Sequence, residues 1–243
     1  MLIDFALLFL SAGLPYYILL EKSTRLNSKQ IFLLSAFLLL CAVVLSLSIP
    51  NEHPTLLVVI SLLSAMYSIY KASKTTNFYK LGYYLIFVNA PFFILFEDRG
   101  LMYSLSLLVS LSGLYLIGKF YEKNYGSANY SNITGITLVT PCLGTYLTFY
   151  LIALALYPPF PNSVFFLSYI FKSEPDLLSY IVVISLFFGN FFLAMRVMKK
   201  TLFGRPNPNI DYVHMTSKEK TIHFIILLLL LILSIFGLKE TLL

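Results

Sequence analysis

The sequence predicts an all-α polytopic membrane protein with about eight transmembrane helices, one of them broken at Pro158–Pro161. Apolar residues make up 58% of the 243 residues and charged residues only 12%. Apolar runs of about twenty residues recur from end to end, which is the length needed to cross a bilayer. The longest polar stretch covers only residues 201–220. We therefore expect one transmembrane domain over residues 1–243.

Charged and turn residues divide the apolar sequence into the predicted spans. The first half, residues 1–100, supplies four spans without a distinct motif, and residues 101–243 supply the other four. The first span lacks a basic segment before it and a small-residue cleavage site after it, so we expect a retained span rather than a signal peptide. The eight predicted spans are 2–20, 30–49, 54–70, 80–96, 101–121, 137–172, 177–200 and 222–240.

Basic residues are distributed unevenly over the two sides of these spans. The loops after spans one, three, five and seven hold fourteen Lys and Arg residues, whereas the alternate loops and the C-terminus hold three: Arg99, Lys172 and Lys239. The positive-inside rule then places both termini on the outer side of the membrane. This asymmetry accounts for most of the net charge of +6. We expect lipid as a partner and no nucleic acid, because no soluble stretch could form a basic domain.

The sixth span contains the segment LALYPPFPNSVFFLSYIF, residues 154–171, with prolines at Pro158, Pro159 and Pro161. Proline lacks a backbone N–H and clashes with the preceding turn, so we expect this helix to unwind there. Backbone groups freed in this way are tolerated at membrane depth only where they face protein or a water-filled cavity. Broken spans are typical of transporters, although kinks also serve packing.

Ionisable side chains are rare inside the predicted spans. A charge at the bilayer centre costs about 2.5–3.5 kcal/mol on insertion scales, and such groups normally mark ion paths. Asp4 and Lys119 are the weak ion-path candidates, but both lie near span ends, where an interfacial anchor is the simpler interpretation. The sequence shows no catalytic, cofactor-binding or metal-binding motif. We therefore predict no catalytic residues, no cofactor and no metal.

Four segments nevertheless resemble, in order and spacing, the C-terminal part of the antiporter-like proton-channel subunits of respiratory complex I and of their Mrp antiporter and membrane-bound hydrogenase relatives. They include a span with a Tyr-Glu-basic exit, the broken helix, a span that leads into a Phe-Gly exit, and a final span opened by Thr216-x-x-Glu219. These segments are residues 111–123, 141–171, 185–208 and 216–238.

The resemblance implies a chain that corresponds to the last eight of the family's usual fourteen spans. The family carries a Lys or Glu just after the hinge of the broken helix, and Phe166 occupies that position here. The preceding span usually contributes a His or Lys, and the best alignment places Ser106 there, or Leu105 or Leu107 if the register slips by one. Both positions of the family charges are therefore neutral in this sequence.

What the resemblance implies is a membrane-arm subunit of a complex I-like assembly, of the NADH:quinone oxidoreductase (NADH dehydrogenase), Mrp or hydrogenase type. Without the central charges, a structural role is expected rather than proton pumping, in a respiratory or other energy-coupling membrane, either prokaryotic cytoplasmic or mitochondrial inner. Its partners would be other membrane-arm subunits, and it would be a non-catalytic subunit of a translocase rather than an enzyme by itself.

Two alternatives remain open at this point. The chain could be a split or shortened proton-channel subunit that conducts together with a partner chain, with Asp4 or Lys119 replacing the lost charges. It could also be an unrelated membrane transporter or lipid-modifying enzyme. A charged residue near mid-bilayer beside the hinge would favour conduction, and Phe166 argues against it.

Overall fold

The computed structural model describes residues 2–23, 25–47, 55–95, 97–172 and 176–242, and in this part of the chain the secondary structure is helical. Apolar runs without polar alternation favour helices at this length, because a helix satisfies its own backbone groups. The helices are α1 Leu2–Leu10, α2 Tyr17–Lys22, α3 Ser28–Ser46, α4 Thr55–Lys74, α5 Phe78–Leu95, α6 Glu97–Tyr125, α7 Ile136–Val139, α8 Pro141–Leu154, α9 Pro161–Lys172, α10 Leu177–Thr201 and α11 Ser217–Leu242.

Six of the described helices are long and apolar enough to cross a membrane: α3, α4, α5, the part of α6 from Gly100, α10, and α11 as far as Lys239. They correspond to six of the predicted spans. Two further apolar segments are each divided into shorter helices, α1 with α2 and α8 with α9. The prediction of a polytopic helical membrane protein is thus confirmed. The predicted span limits at residues 49, 54 and 96 lie outside the described residues.

The first predicted span, 2–20, is not one continuous helix, which corrects the prediction. Helix α1 ends at Leu10 and α2 begins only at Tyr17. Between them Ala12 has a φ of 63°, a left-handed conformation that ends a helix. Pro15 follows, and a proline at this point prevents the helix from continuing. The two shorter helices lie on either side of a buried turn that contains Ser11 and Ala12.

Helix α5 forms the centre of the bundle. In the apolar window of this helix 89% of the residues are buried, against 28–61% for the other five candidate spans. Helices α3, α4, α6 and α10 all pack against it. Because α5 is covered on every side, its polar residues must find hydrogen-bond partners inside the protein.

The loops that carry most of the basic residues meet at one end of the bundle, which we call the basic face. Near the start of α3, the Lys29 Nζ atom lies 3.0 Å from a carboxylate oxygen of Glu122, close to the end of α6. The loops after α6 and α10 are joined by a hydrogen bond of 2.8 Å from the Thr134 hydroxyl to the Arg205 carbonyl oxygen. The side of the membrane on which this face lies stays a prediction.

Candidate functional site: a broken helix beside buried amides

The predicted break in the sixth span is present and forms a hinge, residues 155–160, between α8 and α9. Helix α8 ends at Leu154, and Leu156 has a φ of 60°. The Pro158–Pro159 peptide bond is cis. Pro161 is the first residue of α9 rather than part of the unwound stretch, a position that suits proline because its missing N–H has no helical acceptor there. A second interruption, not predicted, separates α7 from α8 before Pro141.

The start of the hinge faces protein, whereas residues 157–159 are exposed. Residues Leu154, Ala155 and Leu156 are almost fully buried. The carbonyl oxygen of Pro159 accepts a hydrogen bond from the Ser234 hydroxyl of α11. The buried start of the hinge and the Ser234 bond agree with the rule that freed backbone groups at membrane depth find partners inside the protein. Tyr157, Pro158 and Pro159 form the part of the hinge that turns outward, and Tyr157 is 59% exposed.

Helix α9 runs antiparallel to α6 and brings the hinge next to a line of buried polar residues. At the start of α9, the Asn162 side-chain nitrogen donates to the Ser110 hydroxyl oxygen over 3.3 Å. One turn later, the Phe166 ring lies 6.5 Å from the Tyr103 ring, between centroids. Ser106 lies between these two contacts on α6 and is fully buried.

An amide cluster, which we define as Asn89, Tyr103 and Asn190, links three helices in the core. Asn190 Nδ2 of α10 donates to Asn89 Oδ1 of α5 over 2.7 Å, and Asn89 Nδ2 donates back to Asn190 Oδ1 over 3.1 Å. The Tyr103 hydroxyl of α6 donates to Asn89 Oδ1 over 2.6 Å. Asn89 Nδ2 also donates to the Leu85 carbonyl oxygen over 2.7 Å. All three side chains are at most 2% exposed.

The two positions predicted to have lost family charges both point into the core. The Ser106 hydroxyl donates to the Tyr103 carbonyl oxygen over 2.8 Å, within its own helix. Phe166 is 2% exposed and its ring is stacked with that of Phe92 at 5.3 Å. Among the described residues, no charged side chain forms a hydrogen bond with Ser106, Ser110, Asn162 or the amide cluster.

The weak ion-path candidates lie elsewhere. Lys119 is exposed near the end of α6. It lies thirteen residues beyond Ser106, which corresponds to about 20 Å along an α-helix. Asp4 lies on α1, one turn before Leu7 and Leu8, which belong to the same apolar cluster as Phe166. The structure therefore does not bring Lys119 to the hinge, and the possible role of Asp4 stays a prediction.

The sequence interpretation missed the amide cluster because it searched for ionisable groups. Asn89 and Asn190 each stand in the middle of an apolar run, in LIFVNAPFF and SLFFGNFF. A buried amide, like a buried charge, needs hydrogen-bond partners inside a membrane because no water is present to supply them. The free-energy cost of burying the amide is lower than that of burying a charge. Two asparagines at mid-span were the available signal. That these two asparagines, 101 residues apart in the sequence, pair with each other could not be predicted from a single sequence.

The Glu21 carboxylate, at the end of α2, is a second polar group. It lies at the basic face, and Glu21 is not part of the six candidate spans. It accepts hydrogen bonds from the hydroxyls of Tyr83 (2.6 Å) and Tyr84, and Lys71 Nζ lies 3.5 Å away. Burial raises the pKa of the Glu21 carboxyl, but these hydrogen bonds together with the Lys71 and Lys80 charges outweigh it and leave the pKa below its usual value.

The described side chains of His, Cys, Asp and Glu form no group of three or more that could hold a metal ion. His223 is buried in α11, where its Nδ1 atom lies 2.8 Å from the Tyr150 hydroxyl. The hinge region thus offers neutral hydrogen-bonding groups, but no cluster of charges.

The fold is similar to that of a solved chain in the Mrp complex from Dietzia sp. DQ12-45-1b, with a TM-score of 0.58 and 14% sequence identity. The match covers 88% of this chain and 51% of the solved chain, so this chain spans about half the length of the protein that it matches. No protein-family model matches the sequence, and no curated protein does so at a significant level. The chain is a polytopic helical membrane protein whose fold is similar to that of a chain of an Mrp complex.

Proposed function

We propose that the chain is a membrane subunit of a multisubunit ion-translocating assembly of the Mrp or complex I-like type, and that its role is structural rather than proton-pumping. The fold similarity to a chain of an Mrp complex supports the first part. The observation that carries the second part is the absence, among the described residues, of a charged partner for the polar groups beside the hinge.

A proton-pumping site needs a group whose charge changes and whose pKa a neighbour can shift. Asparagine and serine do not titrate, and tyrosine has an ordinary pKa near 10. The serine hydroxyls of α6 also direct their protons to backbone carbonyls of their own helix: Ser106 to Tyr103, and Ser110 to Ser106 over 3.1 Å. Hydrogen bonds closed within one helix in this way do not form a relay from one side chain to the next.

Phe166 supports the same proposal through packing. Its ring lies next to the ring of Phe92 and, at 6.4 Å between centroids, to that of Phe187. Aromatic side chains therefore fill the position at which the family that this chain resembles carries a charge. An aromatic cluster excludes water and raises the cost of any ion nearby. A subunit built in this way seals the bilayer and aligns its neighbours. Its membrane would be an energy-coupling membrane, with a respiratory or an antiport complex as its assembly.

One observation favours the second candidate, a shortened subunit that still conducts with a partner chain. The Asn162 Oδ1 atom, beside the hinge, is buried without a hydrogen-bond partner in the described part of the chain. A buried polar atom of this kind is commonly satisfied by water. Water at this position would lie next to Ser110 and could extend a path that a partner chain completes.

The test measures complex yield and proton flux in the native membrane for variants at Phe166. Phe166→Leu should leave both nearly unchanged, because it keeps an apolar side chain in the core and removes no titratable group. The three ring contacts that it removes, with Phe92, Tyr103 and Phe187, are worth about 0.5–1.5 kcal/mol each. Phe166→Lys should reduce the yield of the complex, because it places an unpartnered charge in the core. The matched control is Phe171→Lys on the same helix, where the side chain is 74% exposed.

Loss of flux in Phe166→Leu with intact assembly would contradict the structural role and favour conduction. Retention of full complex yield in Phe166→Lys, together with increased flux, would show that the site accepts a charge and would also favour the conducting candidate. Purification of the wild-type chain without any other membrane subunit, from membranes in which it is fully extracted, would contradict membership of an assembly.

A further inference from the structure

A cavity of about 270 Å³ lies between α6 and α11 at the basic face. It is formed where the last turns of α6 meet the first turns of α11. The capping box predicted at this end is present: the Thr216 backbone N–H donates to Glu219 Oε2 over 2.9 Å, and the Glu219 backbone N–H donates to the Thr216 hydroxyl over 3.4 Å. The cap fixes the start of α11 and thus the shape of the cavity mouth.

Charged side chains of one sign predominate around this mouth. Lys119, Lys123 and Lys218 line it together with a single carboxylate, that of Glu219. The Lys123 Nζ atom lies 3.0 Å from Glu219 Oε1, so this carboxylate is engaged by one of the three lysines. Within the described residues, neither Lys119 nor Lys218 forms an ion pair. The cavity therefore keeps a net positive charge with two cations available.

The inner walls of the same cavity are apolar. Leu116 and Ile222 line it one turn deeper, and Ile222 is 40% exposed. Beyond them the outer surface of α11 consists of exposed Ile, Leu and Phe side chains, the composition of a lipid-facing helix. The cavity thus places a cationic mouth at one end of two membrane-spanning helices next to apolar walls and to the exposed apolar face of α11.

We propose that this cavity binds the phosphate headgroup of an anionic phospholipid, with Lys119 and Lys218 on the phosphate and one acyl chain against Leu116 and Ile222. Basic pockets between transmembrane helices at the positively charged face suit such headgroups. Lysine stems also reach the headgroup level while their methylene groups stay in apolar surroundings. The apolar walls distinguish this ligand from free phosphate, which would gain nothing from them. Lys119 then serves as a lipid anchor rather than as part of an ion path.

The experiment measures phospholipid binding to the purified full chain by native mass spectrometry, with phosphatidylglycerol as the probe. Each lysine near an anionic surface contributes about a fivefold change in affinity. The double variant Lys119→Gln/Lys218→Gln should therefore bind about thirtyfold more weakly, which corresponds to about 2 kcal/mol. The control Lys22→Gln/Lys199→Gln removes the same charge elsewhere on the basic face and should change affinity less than about threefold.

Two further arms test the geometry and the source of the phosphate. Glu219→Gln keeps an acceptor for the cap and frees Lys123, so phosphatidylglycerol should bind roughly fivefold more tightly. Phosphatidylcholine, with no net charge, should bind more weakly than phosphatidylglycerol. Equal losses in the two double variants would overturn the proposal, since they would indicate general surface attraction. Displacement of the lipid by millimolar inorganic phosphate would also overturn it, in favour of a free-anion site.

Discussion

Replacement of Asn89 by leucine tests whether the amide cluster holds the core together. The change removes the acceptor of the Tyr103 hydroxyl bond and both bonds exchanged with Asn190. Leucine has a similar shape, so the main effect is the loss of polar contacts rather than a cavity. The Tyr103 hydroxyl and the Asn190 amide are left buried without their partner, on α6 and α10 respectively.

The magnitude follows from the three interhelical hydrogen bonds that are lost. Such bonds average about 0.6 kcal/mol each in membrane proteins, which gives about 2 kcal/mol. Leaving the Asn190 amide buried and unsatisfied adds roughly 1–3 kcal/mol. We therefore expect Asn89→Leu to lower the free energy of unfolding by about 3–5 kcal/mol. Asn89→Leu/Asn190→Leu should be less destabilising than the sum of its two single variants, because the second change removes the unsatisfied amide.

The assay is a double-mutant cycle on the free energy of unfolding, measured with the purified chain in bicelles. Asn124→Leu is the matched control, because the Asn124 amide donates only to the Phe120 carbonyl oxygen of its own helix, over 2.9 Å. It should cost less than about 1 kcal/mol. Additive effects of Asn89→Leu and Asn190→Leu, within about 0.3–0.5 kcal/mol, would refute the reasoning, since independent sites behave in that way.

Three further predictions concern the basic face and the packing of α6. A cysteine placed at Asn207, in the loop before α11, should be labelled only from the inner side of the membrane, and labelling from outside would reverse the predicted topology. The Glu21 pKa is lowered in the folded chain, so the contacts of its carboxylate stabilise the fold above the unfolded-state pKa. This stabilisation is lost as the pH falls through the folded-state pKa, so the difference in Tm between wild type and Glu21→Gln should shrink from pH 7 to about pH 4. A difference in Tm that stays constant over this range would count against the prediction. Gly113→Ala should lower the Tm, because its Cβ would collide with the Tyr150 ring at a cost of about 1–3 kcal/mol; an unchanged Tm would show that the ring moves freely.

The positions of the long helices along the chain could be predicted from the sequence, because apolar length alone specifies a membrane span. The break at the hinge was equally visible, since adjacent prolines at Pro158 and Pro159 leave the helix no alternative. The turn at residues 11–16 was missed although Gly13 and Pro15 stand there, because the apolar content of the segment matched that of an unbroken span.

The candidate site was only partly predictable. That Ser106 and Phe166 are the positions of lost family charges stays a prediction, and the rings that contact Phe166 come from α5, α6 and α10. Those contacts join residues that are far apart in sequence, and hydropathy gives no information on which spans are neighbours. The cavity at the basic face was hidden for a similar reason, since Lys119 and Lys218 come together only when α6 and α11 pack.

The bond from Ser234 to the Pro159 carbonyl oxygen has a consequence for biogenesis. During synthesis the hinge enters the bilayer well before Ser234 of α11, which lies 75 residues after Pro159 in the chain. Until α11 has been translated and released, this carbonyl group faces the insertion machinery or lipid without its final donor. The hinge therefore reaches its final hydrogen bonding only after α11 has been inserted. A ribosome stalled before residue 234 should leave the segment around Pro159 open to protease or chaperone contact, even though both of its flanking helices are already in the membrane.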